Sequence, residues 1–157
     1  MLFRSRALAG FEKALGPEHP NTLSSVNNLA TLLRDQGDYA GAEPLYRRAL
    51  AGYEKALGPE HPDTLRSVNN LAILLSDQGD YAGAEVLFRR ALAGREKALG
   101  PEHPSTLESV NNLAILLSDQ GDYAGAEPLY RRALEGEEKA LGPDHPNTLT
   151  TVNNLGI

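Results

Sequence analysis

The chain has 157 residues, 41% of them hydrophobic and 23% charged, and a formal net charge of −6. That acidic balance argues against nucleic acid and anionic membrane surfaces as partners. The sequence has no cysteine, which excludes disulfides, thiolate metal sites and cysteine nucleophiles together and fits a cytoplasmic protein. Residues 1–6 hold no apolar run long enough for a signal peptide, and no stretch approaches a membrane span.

Residues 1–15 predict a single helix. From Gly16 onward the chain nearly repeats itself every 42 residues: Asn28-Leu29-Ala30 returns as Asn70-Leu71-Ala72, as Asn112-Leu113-Ala114, and begins again at Asn154-Leu155. Residues 16–57 and 58–99 differ at only seven positions, and 58–99 and 100–141 at six. A period of this length signals a stack of small units that bury a continuous seam, not a central core. Each unit predicts two helices. In the second, Leu65, Val68, Leu71, Ala72, Leu74 and Leu75 recur at helical spacing between Asp63 and Gln78. Asp63 is the expected N-cap, matched by Asn21, Ser105 and Asn147 in the other units. Ser105 and Glu108 complete a capping box. Gly79 closes this helix A, and Asp80 caps helix B, from Tyr81 to Leu99 with Tyr81, Ala84, Leu87, Phe88, Ala91, Leu92 and Leu99 on its apolar face. The turn Gly100-Pro101-Glu102-His103-Pro104 stops it. Pro44 and Pro128 stand inside the second helices of units one and three, where they predict a bend or an irregular start. Nothing alternates with a period of two, so the expected fold is all-α.

Ala72, Gly79, Tyr81, Ala84, Phe88 and Ala91 fall at the small, turn and aromatic positions of the tetratricopeptide repeat. NNLA in helix A, QGDYAGAE at the turn and LGPEHP between units resemble, more narrowly, the 42-residue repeats of kinesin light chain. The resemblance implies a right-handed superhelical solenoid of antiparallel helix pairs, with a concave groove lined by A helices that holds extended peptides. The expected organisation is one repeat domain over 1–157. It comprises a half-repeat helix B (1–15), three full repeats (16–57, 58–99, 100–141) and a half-repeat helix A (142–157). Because the period breaks off mid-repeat at both ends, the chain reads as a segment of a longer array.

The repeats also locate a candidate groove. Beyond the cap, helix A of the three full repeats varies only at Ser24/Arg66/Glu108 (Thr150 in the half-repeat), Thr31/Ile73/Ile115 and Arg34/Ser76/Ser118, all on the arc opposite the apolar residues. Asn27 and Asn28 share that arc yet do not vary, returning as Asn69/Asn70, Asn111/Asn112 and Asn153/Asn154. Asparagine is a poor helix former, but its amide complements a peptide's own N–H and C=O. The expected site is therefore an amide ladder gripping an extended backbone. Its residues are Asn27, Asn28, Asn69, Asn70, Asn111, Asn112 and Asn153, with Thr31, Arg34, Arg66, Ile73, Asp77, Glu108, Ile115 and Asp119 reading side chains. Two plainer readings stand beside it: a solvated face drifts faster than a core, and one Asn of each pair can bond between adjacent A helices as structural glue.

His19, His61, His103 and His145 also recur, but equivalent residues sit about two helix-packing distances of 8–10 Å apart and cannot share an ion. A turn-packing role for the His-Pro step is expected, and no metal or cofactor. Catalysis needs unlike groups around one point, whereas every candidate here recurs in equivalent places. The sequence thus predicts a non-enzymatic scaffold for a protein or peptide partner, with no nucleic acid and no membrane. The alternatives are a structural repeat that stacks head to tail through its half-repeats, or a consensus-like design without a natural ligand.

Overall fold

A computed structural model describes residues 2–156, so Met1 and Ile157, the two limits of the expected domain, lie outside the described residues. Among the described residues there are eight helices and no strand: α1 (Leu2–Leu15), α2 (Pro20–Asp35), α3 (Tyr39–Leu57), α4 (Pro62–Asp77), α5 (Tyr81–Leu99), α6 (Pro104–Asp119), α7 (Tyr123–Leu141) and α8 (Pro146–Leu155). They form two compact units, Met1–Asp80 and Tyr81–Ile157.

In the first unit α2 packs against α1 and α3, and α3 against α4. Leu23, Val26, Ala49 and Tyr53 form its core cluster, with Leu8, Leu45 and Leu57 around them. Removing a leucine such as Leu23 from water stabilises by about 1.5–3 kcal/mol. Small residues set the approach: a Cβ on Gly52 would lie 2.5 Å from Leu23 Cδ2. The second unit repeats the scheme, with α6 packed on α5 and α7, and α7 on α8. Here Leu107, Val110, Leu117, Tyr130 and Ala133 are buried, and Gly136 meets Leu107 as Gly52 meets Leu23.

The helix A caps lie two residues earlier than expected. Pro20, Pro62, Pro104 and Pro146 open the helices, and the preceding histidine is the N-cap. Each histidine has extended backbone, and its Nδ1 accepts from the N–H two residues on, for example Asp63 N at 3.2 Å. Proline suits this first position, since it lacks an N–H that would go unpaired there. Asn21, Asp63, Ser105 and Asn147 therefore lie inside the first turn, and the Ser105–Glu108 capping box does not form. Histidine is an uncommon cap, but a ring nitrogen can accept a hydrogen bond as the side-chain oxygen of the usual caps does.

Helix A ends as expected. Gly79 takes φ 82°, and a pair of bonds (Gly79 N to Ser76 O at 2.9 Å, Asp80 N to Leu75 O at 2.9 Å) satisfies the last carbonyls. Asp38 and Asp122 cap α3 and α7 through the N–H groups of Gly41 and Gly125. The irregular start expected at Pro44 and Pro128 does not occur: α3 and α7 run as continuous helices of 19 residues with the prolines inside them, as α5 does with Val86. Both prolines are exposed, so the freed carbonyl one turn back can reach water. On the helix B faces, Tyr81 and Tyr123 are 36% and 70% exposed, so the apolar face begins at Ala84 and Ala126.

A further joint escapes sequence reading altogether. Thr22, Thr64, Thr106 and Thr148, all fully buried, donate through Oγ1 to the carbonyls of Gly16, Gly58, Gly100 and Gly142 at 2.8–2.9 Å. Each bond ties the third residue of a helix A to the glycine that ended the preceding helix B.

Candidate functional site

The candidate face is made by α2 and α4 in the first unit and by α6 and α8 in the second. Asn27 and Asn69, expected on the exposed arc, are instead buried, at 7% and 2% exposure. A single-helix wheel could not show this, because neighbouring helices cover part of that arc. Asn70 Nδ2 donates to Asn27 Oδ1 at 3.4 Å, bridging α2 and α4. In this pair of helices the two amides thus serve as glue between repeats.

What remains accessible is narrower than the predicted ladder. Asn28, Arg66, Asp77, Glu108, Asp119 and Asn153 are exposed, while Thr31, Arg34, Asn70, Ile73, Asn111, Asn112 and Ile115 are half-buried. Asn28 and Thr31 line an open hollow with Ala7, Ser25 and Asp35. Thr31 is held from two sides, donating to Asn27 O at 3.0 Å and accepting from Tyr46 OH at 2.9 Å. Burial pushes the Tyr46 phenol up.

Charges on this face are largely spoken for within the chain. Arg34 lies 2.8 Å from Asp35 and 3.8 Å from Asp77, and Arg66 lies 2.8 Å from Asp63. Partial burial raises the Asp77 carboxyl, and Arg34 opposes that rise. Beside them Gln78 Nε2 donates to Glu43 at 3.1 Å and Arg47 Nε donates to it at 2.8 Å. Both bonds hold the Glu43 carboxyl below its ordinary range, the Gln78 bond foremost. In each unit such a face offers polar contacts and one half-buried isoleucine, Ile73 in the first and Ile115 in the second.

In the second unit a cavity of about 220 Å³ opens between α6, α7 and α8, lined among others by Leu107, Glu108, Asn111, Glu137, Leu141 and Thr150. Glu108 and Asn111 belong to the predicted site; Glu137, on helix B, does not. The signal for it lay in the sequence, since the position reads Tyr53, Arg95, Glu137 in successive repeats and all three are buried. A wholesale change of chemistry at a buried position should have marked it.

No group of three or more histidine and acidic side chains suited to a metal occurs among the described residues, and the histidines are occupied as caps. No described helix is long and apolar enough to cross a membrane.

The family profile for the tetratricopeptide repeat matches residues 3–55, 23–97, 69–139 and 106–157. Two crystal structures of a kinesin light chain-like protein of Podosopora anserina with nearly identical TPR-like repeats are 30% identical to this chain. The alignments cover 97% of it and 72% of that protein, with TM-scores of 0.81 and 0.79. BtubC (BKLC) of P. vanneervenii superposes with a TM-score of 0.86 at 24% identity, over 98% of this chain and 61% of that one. A search of curated proteins gives no match.

Proposed function

Because this chain belongs to the tetratricopeptide repeat family, we propose that it is a non-catalytic scaffold that binds an extended segment of a protein partner on its helix A faces. Such repeats generally mediate protein–protein interactions. The observation that carries the reading is where the repeats differ. On helix A of the three full repeats the changes fall at Asn21/Asp63/Ser105 in the first turn and at Ser24/Arg66/Glu108, Thr31/Ile73/Ile115 and Arg34/Ser76/Ser118, every one of them at least partly accessible, while the buried residues do not change from one full repeat to the next. Ile73 and Ile115 put apolar surface at half-buried positions of a polar face, where a partner's side chains can cover it. The amides contribute at the accessible members, Asn28, Asn112 and Asn153. A cytoplasmic setting belongs to the same proposal and fits the lack of cysteine.

The test is a peptide-display screen against the full chain, with the paired variant Ile73→Ser and Ile115→Ser as comparison. Selected peptides should lose affinity by about tenfold or more on the variant, given what loss of buried apolar contacts costs, while helicity by circular dichroism stays the same. Equal affinity for both proteins would refute the assignment of the face. A second reading, head-to-tail self-association, draws on the exposure of Tyr123 (70%) and Leu149 (51%). Light scattering over a concentration series tests it, and a monomer throughout counts against it.

A further inference from the structure

The cavity between α6, α7 and α8 contains a carboxylate with nothing to hold. Glu137 is only 7% exposed, and its Oε2 is buried with no hydrogen-bond partner in the chain. Asn111 Oδ1, on the same cavity, is likewise buried and unpartnered. Both atoms are acceptors, and the other carboxylate on the wall, Glu108, is exposed. A buried carboxylate normally persists only with a paired cation or several donors. Here the chain supplies neither to Oε2.

The preceding repeats show how the same position is satisfied elsewhere. In the first full repeat Tyr53 fills it, with its hydroxyl 3.4 Å from Pro20 O. In the second repeat Arg95 does so: its Nη1 donates to Ser105 O at 2.7 Å, to Ser109 Oγ at 2.9 Å and approaches Glu108 Oε2 at 3.4 Å. In the third, glutamate is shorter than either and opposite in charge to arginine, so a space of about 220 Å³ remains where the others have side chain. Thr151, which corresponds to Ser109 one period on, is fully buried with its Oγ1 unpartnered as well. The third repeat thus lacks the guanidinium that the second carries within its own chain.

We propose that this cavity takes the side chain of an arginine from the bound peptide, its guanidinium donating to the Glu137 carboxylate and the Asn111 carbonyl as these side chains turn toward the guest. Arginine fits better than lysine because its planar fork can reach separate acceptors at once and is the less strongly hydrated cation. Glu108 adds negative charge at the mouth, shared with Arg95. The site deepens the peptide-binding reading and rests on it for the source of the arginine.

The experiment is an NMR titration of the full chain with N-acetyl-arginine amide, following the Glu137 and Asn111 side-chain signals. N-acetyl-citrulline amide (the same shape without the charge) and N-acetyl-lysine amide run in parallel. Saturable shifts with arginine, none with citrulline and weaker binding of lysine are expected. Glu137→Gln keeps the shape and should weaken arginine by about tenfold, the usual scale for losing a charge-assisted partner, without lowering the thermal midpoint. Glu137→Tyr, which copies Tyr53, should abolish the titration while the far-ultraviolet circular dichroism stays unchanged. Equal shifts from arginine and citrulline, equal binding of lysine, or unchanged binding by Glu137→Gln would overturn the proposal. The Ile73→Ser and Ile115→Ser protein should titrate like the wild type. A positive titration with no selected peptides therefore sinks the groove and keeps the cavity, and selected peptides with a flat titration do the reverse.

Discussion

Replacing Thr64 by valine keeps the side-chain shape and removes one hydroxyl. That hydroxyl donates to Gly58 O at 2.8 Å from a fully buried position. The other approach to the same carbonyl, from His61 N, is 3.5 Å long and cannot stand in for it. Valine therefore loses a hydrogen bond of about 0.5–1.5 kcal/mol and leaves a half-buried acceptor with only the long contact from His61, for a total of about 1–3 kcal/mol. In a chain of this size each kcal/mol shifts the thermal midpoint by roughly 2–4 °C, so a fall of about 2–12 °C is expected. Circular dichroism at increasing temperature measures it, and hydrogen exchange should show the loss concentrated at the amides around Gly58–Leu65, because each unit touches only its neighbours. Thr64→Ser separates the two parts of the residue, since it retains the donor and deletes the methyl. If Thr64→Val is as stable as the wild type, or if Thr64→Ser is the worse of the two, the hydrogen bond is not what locks the joint.

Other consequences follow from the packing and the charges. Gly10 and Gly52 occupy equivalent helix positions, but a Cβ on Gly10 would meet nothing within 4 Å whereas on Gly52 it would lie 2.5 Å from Leu23 Cδ2. Gly10→Ala should gain up to about 1 kcal/mol from helix propensity. Gly52→Ala should show a net loss in urea denaturation, as overpacking of about 1–3 kcal/mol outweighs that gain; a stabilised Gly52→Ala would disprove the close approach. For Glu43, the folded-state carboxyl is held below its ordinary value of 4.5, so its contribution to stability is complete above that pH and is lost as pH falls through the folded value. Gln78→Ala should raise the Glu43 titration midpoint in a carbon-detected NMR series, and an unmoved midpoint would exclude Gln78 as its main cause.

Much of the helical layout could be read from residue spacing alone, because the repeated Leu, Val and Ala positions define one stripe per helix and Gly79 has an unambiguous backbone role. Legibility failed where a side chain answers to a neighbouring helix. Asn27 sits on the polar arc of α2, but its amide faces Asn70 of α4, a partner 43 residues away. The histidine caps were missed for the opposite reason: the contact is local, but the residue type is not the usual one. Glu137 stands on helix B, away from the variable stripe of helix A. A carboxylate at a core register announces itself only once Tyr53 and Arg95 are set beside it.

The threonine-to-glycine bond also bears on how such a chain changes over generations. Its two ends are six residues apart, with the capping histidine between them, so the whole locking device lies within one short stretch of sequence. Duplicating or deleting a stretch of one period copies or removes a complete lock and creates no junction of a new kind. Repeat number can therefore drift by unequal exchange with little effect on folding. Individuality is written elsewhere, at single buried positions such as Tyr53, Arg95 and Glu137, where one codon converts a filled unit into one with room for a guest.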